Sequence, residues 1–284
     1  MSSQTDLAKE AVQAAARLRA RHGVGPAQGL CPYDLAIKLE IKVSFLAAPS
    51  LEGMYSPEPL PASIILSSER PAGRRRYTCG HELGHHVFQH GTRIDELEDG
   101  VSSPWSAEEF LAQRFASALL MPKIAVDAAF ARRGWKLVTA TSEQLYVVSQ
   151  ELGVGYGTLI ANAEINLGLP KVHADSLRAV SLAKVKAAIL GQEAKSDVFL
   201  VDQHWVRPTV DVEVGDHIIL PQNGTLDGSC AVAQPGKRMI FTAVSQGIAK
   251  VAFKDGSQAP TLRVSRRNYV GLARYRHLED ADDE

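Results

Sequence analysis

Apolar positions along this chain change rhythm three times, and each change marks a different kind of element. Ala11, Val12, Ala15 and Leu18 recur at the helical interval, and Leu35, Ala36 and Leu39 form a second stripe, so residues 5–40 read as helical. IKVSFLAAP and PASIILSS are short β-branched runs bounded by Pro and Ser, which predicts strands. From about Arg75 to His90 the period is helical again, with Gly91 placed to stop it. Ser106 can cap a further helix, SAEEFLAQRFASALLM, which Pro122 ends. Shorter helices fill about 123–190, broken at Gly134, the Gly153 to Gly157 cluster and Pro170. From Asp197 the period becomes two: VFLVDQ, DVEV, HIILP, CAVAQ, MIFTAV, IAKVAF and LRVS alternate between NG, DG, PG and QG turns. That texture predicts a compact all-β module, a barrel or a sandwich.

The expected fold is therefore α+β in three parts. Residues 1–135 form a helix-rich domain with a short sheet, 136–193 a small helical segment, and 194–284 a β domain. Residues 278–284, LEDADDE, read as an acidic tail of disordered composition. The chain has 284 residues, 45% of them hydrophobic and 22% charged, with a formal net charge of −1. This balance fits an ordinary globular protein and gives no whole-chain attraction to nucleic acid or anionic membrane. The first residues carry no apolar stretch followed by a cleavage site, and no run approaches the ~20 apolar residues of a membrane span. Cys31, Cys79 and Cys230 are odd in number and far apart, which suits free thiols in a reducing compartment. A cytoplasmic protein is expected.

The chemistry concentrates at HELGH, His81 to His85. On a helix, residues i and i+4 share a face, so His81 and His85 can present both imidazoles to one ion. Glu82 lies beside that face and can act as general base without ligating. Zinc sites of this kind take neutral imidazoles, a third protein ligand and one open position. With 9 His in 284 residues, chance would produce HExxH about 0.02 times in such a chain. A third His in the HExxHxxGxxH arrangement is excluded because Phe88 stands where the Gly belongs. The helix after Ser106 is the better source, with Glu108 and Glu109 at its start. Glu109 shares a face with Ala112, Gln113, Ala116 and Leu120, and a carboxylate on such a face is costly to bury unless paired or metal-bound. Acids in a first helical turn also complement the helix dipole, so both glutamates have a second explanation.

RRRYTCGHELGHH and EEFLAQRFASALLMP together resemble the paired signatures of the ImmA/IrrE family of metallopeptidases. The resemblance includes GMYSPEPLPASIILSS, taken as a strand before the zinc helix, and covers roughly residues 10–135. Gly80 stands where the family usually has Ala, and Leu111 and Gln113 replace the Glu and Asn that often flank the helix alanine. The resemblance implies a zincin-like peptidase domain with one Zn2+ (manganese or iron would suit the same donors) held by His81, His85 and Glu109, and Glu82 as general base. It further implies proteolysis of a helix-turn-helix repressor of stress-response or mobile-element genes, and a helix-turn-helix-like unit after the peptidase part.

Other residues have plainer readings. His86 lies about 100° around the helix from His85, so it cannot share the same ion; His90 suits the C-terminal dipole, with a secondary contact as the alternative. Arg74 to Arg76 are expected to anchor to the acidic 95–99 stretch. Cys79 is expected to be buried packing. Ile64, Ile65 and Leu66 are candidates for holding substrate backbone by strand addition. Residues 142–169 contain no Lys or Arg, so direct DNA binding is disfavoured and a packing or docking role favoured. Arg263, Arg266, Arg267, Arg274 and Arg276 form the basic cluster of the β module, in a region expected to sense a signal or select substrate. Two rivals stand beside the repressor protease. One is a non-proteolytic transcription regulator with a structural metal; the other is a toxin–antitoxin peptidase that cleaves an antitoxin.

Overall fold

The computed structural model describes residues 3–96 and 106–278. Most of the acidic stretch after Asp95, and the tail beyond Leu278, lie outside them. The chain divides into two compact units. Unit 1 comprises Met1–Val126, Leu152–Thr158 and Val270–Arg274; unit 2 comprises Asp127–Glu151, Leu159–Tyr269 and Tyr275–Glu284.

Unit 1 sets helices α1 (Gln4–Arg21), α2 (Pro32–Lys38), α3 (Ala72–Phe88) and α4 (Ala107–Leu120) with a sheet. The sheet contains β1 (Lys42–Leu46), β2 (Leu51–Ser56), β3 (Ser63–Ser67), β4 (Arg93–Glu96) and the late β13 (Gly271–Leu272), in the order β13-β1-β3-β2-β4. β1 and β3 run parallel; the other pairings are antiparallel. The segment GMYSPEPLPASIILSS, read as one strand, is a pair: β2 and β3 flank a proline-rich turn. Proline removes backbone donors, so residues 57–61 cannot continue a ladder.

Helix α1 is capped by Ser3, whose hydroxyl accepts from the Asp6 N–H while Asp6 reaches back. It buries Leu7, Ala11, Ala14, Ala15 and Leu18, whereas Val12 faces outward. Its Arg19 is buried and donates to the Leu119 carbonyl at the end of α4 (2.6 Å) and to the Gly25 carbonyl (2.8 Å). Burial lowers the Arg19 pKa to about 10, so it remains a cation at neutral pH and suits that C-terminal helix end. α3 begins at Ala72, three residues before the expected start, and its left-handed C-cap is Gln89 rather than Gly91. Cys79 is fully buried, and Cys31, Cys79 and Cys230 form no disulfide.

α3 and α4 approach at backbone contact because α3 presents glycine toward alanine. A Cβ on Gly84 would stand 2.8 Å from the Ala112 Cα and 3.1 Å from its carbonyl oxygen. One on Gly80 would meet the Leu120 side chain at 3.1 Å. Ala112, Ala116 and Leu120 are buried at this seam, as the face containing Glu109 predicts, while Gln113 turns outward.

In unit 2 the β strands form two four-stranded sheets. β5 (Val198–Leu200), β7 (His217–Ile219), β10 (Lys237–Ala243) and β9 (Ala231–Gln234) make one; β6 (Thr209–Glu213), β12 (Thr261–Ser265), β11 (Gly247–Phe253) and β8 (Gly224–Asp227) make the other. They share one apolar core around Phe199, Trp205, Ile218, Val251, Phe253 and Leu262. No barrel closes among the described residues. The α+β class with a C-terminal β domain holds. The intervening chain forms α5 (Lys123–Ala131), α6 (Ser142–Leu152), α7 (Tyr156–Asn166), α8 (Lys171–Arg178) and α9 (Leu182–Leu190). Within unit 2, Arg133 holds both Glu151 and Asp202, with the Arg133–Glu151 pair buried.

Gly84→Ala should destabilise the protein by roughly 1–3 kcal/mol, because backbone atoms cannot yield to the new methyl. Gly80→Ala should cost less, or gain up to ~1 kcal/mol of helix propensity, since only a flexible leucine must move. Denaturant unfolding of the two variants measures the difference.

Candidate metal centre

Three side chains from two helices converge. His81 and His85 lie one turn apart on α3; Glu109 comes from the first turn of α4, where its N–H points to the Ser106 hydroxyl cap at 3.5 Å. His81 Nε2 lies 3.0 Å from His85 Nε2 and 3.1 Å from Glu109 Oε2, and His85 Nε2 lies 3.5 Å from Glu109 Oε1. Tetrahedral ligands about 2.0–2.1 Å from a zinc ion stand about 3.3–3.4 Å from one another. The observed spacings match that shell, so these donors suit a single ion. Glu108 is drawn away, paired with Arg93 of β4.

Glu82 is wholly buried, and neither carboxylate oxygen has a hydrogen-bond partner among the described residues. Burial raises its pKa well above the usual carboxylate range, and the Asp95 and Glu109 carboxylates push the same way. Space for it depends on β2: a Cβ on Gly53 would stand 2.5 Å from Glu82 Oε1 and 2.5 Å from the Thr78 methyl. A buried carboxylate with no donor among the described residues, beside two imidazoles and the Glu109 carboxylate, is the expected companion of a bound cation. Burial by itself would lower the His81 pKa, but hydrogen bonds to Asp95 and Glu109 outweigh it and raise the value to about 10. The same histidines hold Glu109 well below the usual carboxylate range.

The structure also shows contacts absent from the motif. His85 Nδ1 lies 2.9 Å from His90 Nδ1. The left-handed Gln89 folds the chain back, and the His90 N–H donates to the His85 carbonyl (3.1 Å). With Nε2 presented to an ion, His85 must carry its proton on Nδ1 and donate it to His90, which fixes the tautomer. His86 turns to β2, its Nδ1 3.0 Å from the Tyr55 hydroxyl. Asp95 reaches His81, with Oδ2 3.2 Å from Nε2.

Two expectations are corrected and a third falls mostly outside the described residues. Ile64, Ile65 and Leu66 lie in β3, whose backbone is paired with β1 on one side and β2 on the other, so they offer no edge to a peptide. Arg74 binds Glu52 of β2 at 2.8 Å and Arg75 lies over the Phe45 ring, while most of the 95–99 stretch expected to anchor Arg74 to Arg76 lies outside the described residues. The basic cluster is dispersed. Arg263 and Arg276 join Arg207 and His277 around the buried Asp211, Arg267 bonds Ser196, and Arg274 belongs to unit 1.

The family profile described as the IrrE N-terminal-like domain matches residues 38–163, which include all of these site residues. This stretch is a peptidase domain of the ImmA/IrrE family. No curated protein matches the chain. The peptidase domain belongs to a family that is typically metal-dependent, and its His81, His85 and Glu109 can hold an ion. None of the described helices is long and apolar enough to cross a membrane.

Because His81 is protonated below about pH 10 when the trio pairs with itself, an incoming divalent ion must displace that proton. Uptake at pH 7 should release about one proton per ion, and apparent affinity should rise about tenfold per pH unit between pH 7 and 9. Calorimetric titration in buffers of different ionisation enthalpy measures this; buffer-independent heats would contradict it.

Proposed function

We propose that the peptidase domain is a cytoplasmic, zinc-dependent endopeptidase that cleaves a helix-turn-helix transcriptional repressor and so derepresses stress-response or mobile-element genes. The observation that carries the catalytic part is Glu82: a buried carboxylate without hydrogen-bond partners among the described residues, one residue from His81 and beside Glu109. Imidazole and carboxylate donors suit zinc, with manganese or iron as competitors for the same set. When bound, the ion supplies Lewis-acid polarisation of the scissile carbonyl and lowers the pKa of water to ~7. His81, His85 and Glu109 hold it, and His90 keeps the His85 ring in the ligating tautomer. Glu82 takes the proton of the attacking water on its carboxylate and delivers it to the leaving amine. Its raised proton affinity suits both halves of that transfer.

The choice of a repressor as substrate rests on the family resemblance. Target recognition by protein contact agrees with the absence of Lys and Arg in 142–169, since DNA phosphates would demand cations there.

Co-expression with helix-turn-helix repressors encoded nearby should give a metal-dependent repressor fragment. Glu82→Gln should retain the ion yet reduce the fragment by ~100-fold or more, whereas Glu109→Ala should lose the ion as well. Failure to cleave any candidate by protein verified to contain zinc would overturn the reading. So would undiminished cleavage by Glu82→Gln, which a structural metal site predicts.

A further inference from the structure

We infer that His90 is a positioning residue that moderates the affinity of the metal centre and keeps its ion a strong Lewis acid. It does so by meeting the ligand His85 with a neutral imidazole. The inference rests on the metal-dependent reading above and concerns the strength of the centre rather than its ligand set.

The contact is built into the fold. His85 is wholly buried, with its Nε2 facing His81 and Glu109 and its other nitrogen, Nδ1, 2.9 Å from His90 Nδ1. Three features hold the His90 ring in place. Gln89, at φ 57°, turns the chain back. The His90 N–H then donates to the His85 carbonyl at 3.1 Å. The Phe88 ring stacks on His90 at 5.7 Å with the planes 18° apart, and Phe88 is itself set edge-on against Phe115 of α4 at 5.9 Å.

The proton count gives the charge. His85 can present Nε2 to an ion only with its proton on Nδ1. His90 must then accept at its own Nδ1. An accepting Nδ1 leaves the ring with a single proton, on Nε2, and no net charge. Ligating histidines commonly donate to a carboxylate, a backbone carbonyl or water, and such partners raise the basicity of the ligand nitrogen. An anion does so most strongly. A neutral imidazole orients the ring as well but returns less electron density to the ion. The centre then holds its ion less tightly and leaves it better able to polarise a bound oxygen.

The acids of the site give this arrangement a reason. Glu82, Asp95 and Glu109 all act on His81, so three carboxyl groups already crowd the histidine pair. A further anion behind His85 would overcompensate a divalent ion. It would also push the proton affinity of the buried Glu82 higher still. His90 orients the ligand without adding to that charge.

The test is cobalt(II) and zinc binding to the full-length protein, read by visible absorption and chelator competition. Asparagine and aspartate both place an oxygen near the position of the histidine Nδ1, so these two variants differ in charge with little change of shape. His90→Asn should bind within about threefold of wild type. His90→Asp should bind about tenfold tighter or more and shift the cobalt absorption band. His90→Phe keeps a ring but loses the acceptor, and should weaken binding about 10–100-fold. Equal affinity and spectrum in His90→Asn and His90→Asp would overturn the tuning role, because a merely structural residue responds to shape alone. Wild-type affinity in His90→Phe would overturn it too. Failure of the wild-type protein to take up either ion would overturn the metal-dependent reading as well. Normal uptake by wild type with indistinguishable His90 variants would overturn only the role of His90.

Discussion

Backbone-level contact between α3 and α4 is the constraint on which the candidate centre depends. Glu109 can meet an imidazole pair on an earlier helix only because Gly84 lies against Ala112 with no side chain between them. A larger residue at either position would separate the helices by more than the tolerance of a coordination shell, a few tenths of an ångström. The buried Arg19 reinforces this seam by binding the Leu119 carbonyl near the end of α4. Packing far from the chemistry thus sets a distance on which the chemistry depends.

Inside that frame, the electrostatic arrangement opposes stability locally. Glu82 is buried without a donor among the described residues, and Asp95 and Glu109 lie close enough to raise its proton affinity further. A hydrophobic core would not select such a group, because an unsatisfied buried carboxylate costs several kcal/mol. The proposed function gives it a reason: a general base gains proton affinity from a dry, anionic setting, and a bound cation would supply the balancing charge. Gly53 belongs to the same arrangement, since its missing side chain provides the volume Glu82 fills. The second unit treats charge differently. Asp211 is enclosed by Arg207, Arg263, Arg276 and His277, so residues that look like a surface patch in sequence form part of a buried ionic hub.

The sequence by itself determined the elements and the local chemistry. Helical periodicity and the i, i+4 spacing place His81 and His85 on one face, with Glu82 beside them, because a helix relates these positions without reference to the rest of the chain. The apolar face of α4 singles out Glu109 over Glu108 for a similar reason, and alternation after Asp197 identifies the β domain. Only the tertiary structure decided what depends on pairing between distant segments. It split GMYSPEPLPASIILSS into two strands, enclosed β3 between partners, brought β13 from residues 271–272 to β1, and set Asp95 against His81. Strand order and register arise from long-range hydrogen bonds that leave no periodic trace in the chain, and shifting register by one residue would turn Asp95 to the opposite face.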